Sequence, residues 1–205
     1  MSGYRIYIKN VGANPVFVHK ASTKIVSAYP ISQVNNKKQE NKMKIGFTIG
    51  KFAPLHKGHE YLIDTALKDM DKFYIVVYDT DFMNINMNTK INWIKNKYPN
   101  VEILKAYNSP KQFGLDRNSV EIQMKYLKEI IKDIEVTHFY SSEPYGKYVA
   151  EYLNINNVVV DINREKYDIC AEKIRKNIEL YRNYINSDVY SDLTKNVGQS
   201  NQQYN

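Results

Sequence analysis

From residue 44 onward, apolar runs of strand length alternate with amphipathic stretches of helix length, and this alternation decides the fold class. The spacing predicts strands over 44–50, 72–78, 101–106, 136–141 and 157–162. Between and after them it predicts helices over 58–69, 89–97, 119–132, 145–153 and 170–185. The run KFYIVVY at 72–78 is continuously apolar, as strands buried on both faces of a parallel sheet are. Asn118 or Ser119 is the expected cap of the third helix. The pattern reads as an α/β fold with a doubly wound, parallel five-stranded sheet. Ligands of such sheets bind at the carboxyl ends of the strands.

The rest of the chain is less regular. Residues 1–43 hold three short runs of strand character and then the polar stretch 32–44. About 30 residues cannot fold alone on burial, so this segment is expected to be a small β-rich appendage and linker outside the catalytic domain. The domain itself is expected over 44–194, with 195–205, rich in Asn and Gln, as a disordered tail. The single cysteine, Cys170, excludes an intramolecular disulfide and a multi-cysteine zinc site. No apolar run approaches ~18 residues and no secretory pattern opens the chain. The expectation is a cytoplasmic protein with no membrane partner. The net charge of +7 comes mostly from scattered lysines. Without an Arg-rich or aromatic-basic cluster it argues for anionic small molecules rather than nucleic acid.

The first predicted strand runs into Gly50-Lys51-Phe52-Ala53-Pro54-Leu55-His56-Lys57-Gly58-His59, which opens the first predicted helix. Pro54 fixes its own φ, and Gly58 lets backbone approach a ligand. The helix start directs unpaired N–H groups at the loop, which favours an anion. His56 and His59 can each donate to phosphate oxygens, and Lys51 and Lys57 add positive charge. No serine or cysteine stands with a base as a nucleophile, so the chemistry suggested is direct attack of one phosphate on another. The segment GFTIGKF fails as a P-loop, because the glycine spacing is wrong and no Ser or Thr follows the lysine.

At these residues the chain resembles the nucleotidyltransferases with an HxGH motif, and within them the NadR-type nicotinamide mononucleotide adenylyltransferases. The resemblance rests on Gly50 to His59, on Trp93 in KINW, on SSEPYG from Ser141, and on VDINR from Val160 followed by ICAEKIR ending at Arg175. It implies a Rossmann-like domain that joins ATP, with magnesium, to nicotinamide mononucleotide, giving NAD and pyrophosphate. By the same resemblance His56, His59, Lys51 and Arg175 would be catalytic. Gly50, Phe52, Gly58, Cys170 and Lys173 would join them in holding ATP. Trp93, Lys90, Ser142, Glu143, Asp161 and Arg164 would hold the acceptor nucleotide. Cys170 and Glu172 stand where the family usually offers Ser or Thr, and Lys90 and Asn92 where it tends to have arginines. Superfamily members are often homo-oligomers.

Other readings are open from the sequence. The loop serves equally for transfer to nicotinic acid mononucleotide, phosphopantetheine, FMN or a phosphoalcohol, and also for a non-catalytic nucleotide-binding module. Trp93 alone reads as a packing residue, His138 as a satisfied core histidine, His19 as a surface residue, and Asp79 and Asp81 as loop caps. No His/Asp/Glu cluster has dedicated metal-site spacing, so magnesium is expected to arrive with ATP.

Overall fold

The computed structural model describes residues 7–11, 14–21, 24–30, 42–80, 82–111, 114 and 116–200. The chain divides into two compact units, Met1–Lys42 and Met43–Asn205. In the first, β1 (Tyr7–Val11), β2 (Asn14–Ala21) and β3 (Lys24–Pro30) form an antiparallel sheet in the order β1-β2-β3. Tyr7 pairs with Val18 and Val16 with Pro30, with a register irregularity between Val18 and Lys20. Most of the polar stretch 32–44 and the side chain of His19 lie outside the described residues.

The second unit is built on a five-stranded parallel sheet in the order β6-β5-β4-β7-β8. Its strands are β4 (Ile45–Gly50), β5 (Lys72–Tyr78), β6 (Glu102–Ala106), β7 (His138–Ser141) and β8 (Asn156–Val159). Its helices are α1 (Lys57–Asp69), α2 (Met87–Lys97), α3 (Arg117–Ile130), α4 (Gly146–Leu153), α5 (Ala171–Lys176) and α6 (Ser187–Ser200). The pleat of β5 explains the continuous apolar run. Phe73, Ile75 and Val77 enter one core with Ile63, Ala66, Trp93, Ile94, Ile174, Val189 and Leu193. Val76 enters a second core with Phe47, Met124, Leu127, Phe139 and Val149. Side chains of a strand point alternately to its two faces. Thus α1, α2, α5 and α6 cover one face and α3 and α4 the other, the doubly wound arrangement expected from the alternation.

Several boundaries moved, each for a local reason. The helix expected over 170–185 breaks at Asn177, the C-cap of α5, whose Oδ1 turns back to accept from the Leu180 N–H at 3.0 Å. A 3-10 turn at Arg182–Tyr184 follows, and α6 then runs on through Ser200. Residues 195–200 are therefore helical, and 201–205 lie outside the described residues. Helix α3 starts earlier than expected because Asp116, not Asn118 or Ser119, is the cap, accepting from the Ser119 N–H at 3.0 Å. Strand β8 stops at Val159, and Asp161 at φ 51° then turns the chain.

Candidate active site

The carboxyl end of β4, the central strand, opens into a cavity of about 770 Å³, a volume suited to a nucleotide-sized ligand. Most of the expected site residues line it: Gly50, Lys51, Phe52, His56, Gly58, His59, Ser142, Glu143, Asp161, Arg164, Cys170 and Arg175.

The histidine pair is set by the start of α1. His56 is the N-cap in extended conformation, and its Nδ1 accepts from the Gly58 N–H at 3.2 Å. A side chain acting as cap acceptor satisfies one of the orphan N–H groups of the first turn. The His59 ring stacks on that of His56 with centroids 3.7 Å apart and planes 24° apart, and Phe52 lies 4.8 Å from His59 on a tilted approach. Phe52 sits at φ 46°, a left-handed conformation that costs a non-glycine residue about 1–3 kcal/mol. Space at Gly58 is tight: a Cβ there would come within 3.1 Å of His56 Nδ1 and Cε1, so the His56 ring would have to shift.

Burial holds both imidazoles neutral. His56 is driven far below its usual range by burial, then by His59 and Arg164. His59 is pushed down to about 3 by burial and then by Arg164. A neutral imidazole that accepts at Nδ1 carries its proton on Nε2, so His56 keeps an Nε2–H donor. His59 Nδ1 is a buried polar atom without a hydrogen-bond partner. The next residue, Glu60, is buried and ion-paired with Lys97, and its Oε1 accepts from Asn186 Nδ2 at 2.6 Å. The first turn of α1 is thereby tied to α2 and to the entry of α6.

Positive charge converges on the loop from two other elements. Arg175 of α5 donates through Nη1 to the Ala53 carbonyl at 2.6 Å, across 122 residues of sequence. The Lys51 ammonium has its pKa lowered by burial and then by Arg175. Arg164, at φ 57°, donates to the Ile169 carbonyl at 2.8 Å and pairs with Glu143 at 3.0 Å. Asp161 accepts from the N–H groups of Lys166 and Tyr167, so its carboxylate builds the loop that carries Arg164. Cys170 caps α5 without a side-chain hydrogen bond. Glu172 lines the cavity, but its carboxylate pairs with Lys176 at 2.7 Å.

Three expected site residues lie elsewhere. Trp93 is 2% exposed within the first core and donates through Nε1 to Asp192 at 2.9 Å. Lys90 is fully buried, and its Nζ donates to the Tyr78 and Thr80 carbonyls and to Thr80 Oγ1 at 2.9–3.1 Å. It braces the cavity wall from behind. Lys173 pairs with Asp168 at 2.6 Å and does not line the cavity. The packing reading of Trp93 is the one the geometry supports. His138 is satisfied, with Thr137 Oγ1 at 2.8 Å and Asn156 Nδ2 at 3.2 Å.

The sequence reading missed the wall beside β5, β6 and α3. Tyr78, Ser109, Pro110, Gln123, Tyr126 and Tyr145 line the cavity there. Tyr78 and Tyr126 stack with centroids 6.2 Å apart, and Tyr126 donates its hydroxyl proton to the Tyr107 carbonyl at 2.6 Å. The one legible signal was Tyr78, the last residue of an apolar strand and hence at its carboxyl end. Among the described residues, no group of three or more His, Cys, Asp or Glu could hold a metal ion, and no helix is long and apolar enough to cross a membrane.

No family model matches the chain. It is 31% identical over 175 residues to the trifunctional NAD biosynthesis/regulator protein NadR of Escherichia coli strain K12, covering 76% of this chain and 42% of that protein. It is 26% identical over 164 residues to the phosphopantetheine adenylyltransferase of Fusobacterium nucleatum, covering 74% of this chain and 94% of that one. A crystal structure of NadR protein in complex with NAD and AMP-PNP superposes with a TM-score of 0.52 at 20% identity, over 71% of this chain and 45% of that chain. The chain thus spans less than half the length of the NadR protein it matches, and the likeness to the solved structure is one of fold.

Proposed function

Because the chain belongs to the nucleotidyltransferase superfamily and is NadR-like, we propose that it transfers the adenylyl group of ATP to nicotinamide mononucleotide, giving NAD and pyrophosphate. The observation that carries the transfer is the stacked, neutral pair His56 and His59 at the carboxyl end of the central strand, and the choice of nicotinamide mononucleotide rests on the 31% identity to NadR. An oxygen of the mononucleotide phosphate attacks the α-phosphorus of ATP. The new P–O bond forms as the bond to the bridging oxygen breaks, and the electron pair leaves with pyrophosphate.

Negative charge moves outward onto the leaving group, and donors fixed in advance stabilise it without reorganising. The Nε2–H of His56 and a ring N–H of the stacked His59 serve the oxygens around the α-phosphorus, while Lys51 and Arg175 serve the outer phosphates. Magnesium enters with the nucleotide as part of the substrate. The resemblance gives Ser142, Glu143, Asp161 and Arg164 to the acceptor; we assign their wall, with 169–175, to ATP instead because its arginines suit a polyphosphate, and the wall of Tyr78, Gln123 and Tyr126 to the acceptor. Purified protein with ATP, magnesium and nicotinamide mononucleotide should form NAD. The match to a phosphopantetheine adenylyltransferase over 94% of that protein favours a second reading, the same transfer to phosphopantetheine. A panel of phosphate acceptors decides. Turnover with another acceptor and none with nicotinamide mononucleotide overturns the first reading, and nucleotide binding with no turnover on any acceptor makes the chain a binding module.

A further inference from the structure

Phe82 is a large apolar side chain left 38% exposed on the cavity wall. Two cations from distant elements lie over its ring. The Arg175 guanidinium carbon is 4.4 Å from the ring centroid and Lys51 Nζ is 5.2 Å from it. Both are within the range at which a ring face attracts a cation. The turn that carries the ring is anchored. It is a 3-10 turn at Phe82–Asn84, in which Met83 adopts φ 57° and the Ile85 N–H donates to the Phe82 carbonyl at 3.2 Å. Ile85 is buried in the first core and Met83 packs against it. A strained residue beside an exposed ring that gathers two like charges calls for a functional account.

We propose that Phe82 is a positioning residue whose ring holds Lys51 and Arg175 together as a clamp for the outer phosphates of the nucleotide. This rests on the reading that the phosphates lie at the histidine loop. Two like charges brought together under partial burial repel, and the lowered pKa of Lys51 reflects burial first and Arg175 second. The negative face of the ring offsets that repulsion while the cavity is empty. A guanidinium over a ring face also keeps N–H edges for an anion, and one edge of Arg175 is already fixed by the Ala53 carbonyl. The clamp is therefore set before ATP arrives, and less ordering remains to be done on binding.

The test is calorimetric titration of the full chain with ATP, inorganic pyrophosphate and AMP, which lacks the outer phosphates. Phe82→Leu should weaken ATP and pyrophosphate about five- to twentyfold and leave AMP within about twofold. Phe82→Tyr should restore wild-type affinity, because leucine keeps apolar bulk but only an aromatic ring attracts the cations. Should Phe82→Leu not fold, a multiply fluorinated phenylalanine at position 82 keeps the ring's shape, weakens its negative face, and should give the same pattern. Equal losses in Phe82→Leu and Phe82→Tyr, a loss for AMP as large as for ATP, or no loss at all overturns the clamp. Wild-type protein that binds neither ATP nor pyrophosphate overturns it too. If the affinities follow the expected pattern while no acceptor is adenylylated, the clamp stands and the proposed transfer falls.

Discussion

The two walls of the cavity are built from opposite materials. The wall on the β7 and β8 side carries Arg164, Glu143 and Asp161, fixed by an ion pair and backbone hydrogen bonds, and Arg175 of α5 joins it from beside the histidine loop, where it donates to the Ala53 carbonyl. The wall on the β5, β6 and α3 side is lined by Tyr78, Thr80, Ser109, Pro110, Gln123 and Tyr126, none of them charged. The histidine pair stands between them on the central strand. The charged wall suits a polyphosphate, whose orientation is set by its charges. The tyrosine wall suits a ring or an uncharged chain, recognised by stacking and shape. On the proposed transfer, ATP takes the charged side and the acceptor the tyrosine side, with the reacting phosphates meeting at the histidines.

The largest expected effect falls where the walls meet. His59→Ala should lower kcat by about 10²–10³ and leave the acceptor KM nearly unchanged, read by steady-state kinetics. A fall in acceptor affinity of the same size would place His59 on the other wall. The histidine loop and the tyrosine wall should also separate by pH. Both histidines have pKa values far below 6.5 in the folded chain, whereas the unfolded chain takes up their protons near 6.5. Below that pH the unfolded state binds more protons, so stability is lost as pH falls from 6.5, by up to about 1.4 kcal/mol per histidine for each pH unit. On the tyrosine wall burial raises Tyr145 to about 12 and pushes Tyr78 up further, so that wall loses stability only as pH rises above 10. Denaturant melts across pH should show the acid limb flattened by His56→Ala and the alkaline limb by Tyr78→Phe.

A smaller effect tests the acceptor wall alone. Tyr126→Leu removes the ring stacked on Tyr78 and should raise the acceptor KM about tenfold, with the KM for ATP unchanged. A rise in both would show one shared pocket rather than two walls.

What the sequence made legible follows from how local each signal was. The strands and the helices α1 to α4 were legible because their apolar periods are confined to short windows. The break after α5 was not, since Ile174, Ile178 and Tyr181 keep helical spacing while the side chain of Asn177 turns the chain. His56 and His59 were legible because one helix turn fixes their relation. Arg175 was legible only through resemblance, because nothing in its local pattern ties it to Ala53. The tyrosine wall was illegible, because Tyr78 and Tyr126 lie on separate elements and meet only once α3 packs on the sheet. Lys90 was legible as a charge but not as a buried one. Its burial depends on the Tyr78 and Thr80 carbonyls turning toward it.

Trp93 gives the smallest expected effect, and the one that most sharpens the division between the walls. Resemblance places it against the acceptor's ring, whereas the structure places it in the core behind the wall, joined to Asp192 of α6. The two placements differ in what Trp93→Phe does. As a core residue it loses one hydrogen bond and a little volume, costing about 1–2 kcal/mol in a denaturant melt. Asp192 retains solvent access, with its side chain 40% exposed, so water replaces the lost donor and the cost stays at that level. With the acceptor on the proposed wall of Tyr78 and Tyr126, its KM should not move. A rise in acceptor KM with unchanged stability would return Trp93 to the binding surface and require the cavity to extend toward α2 when the acceptor binds.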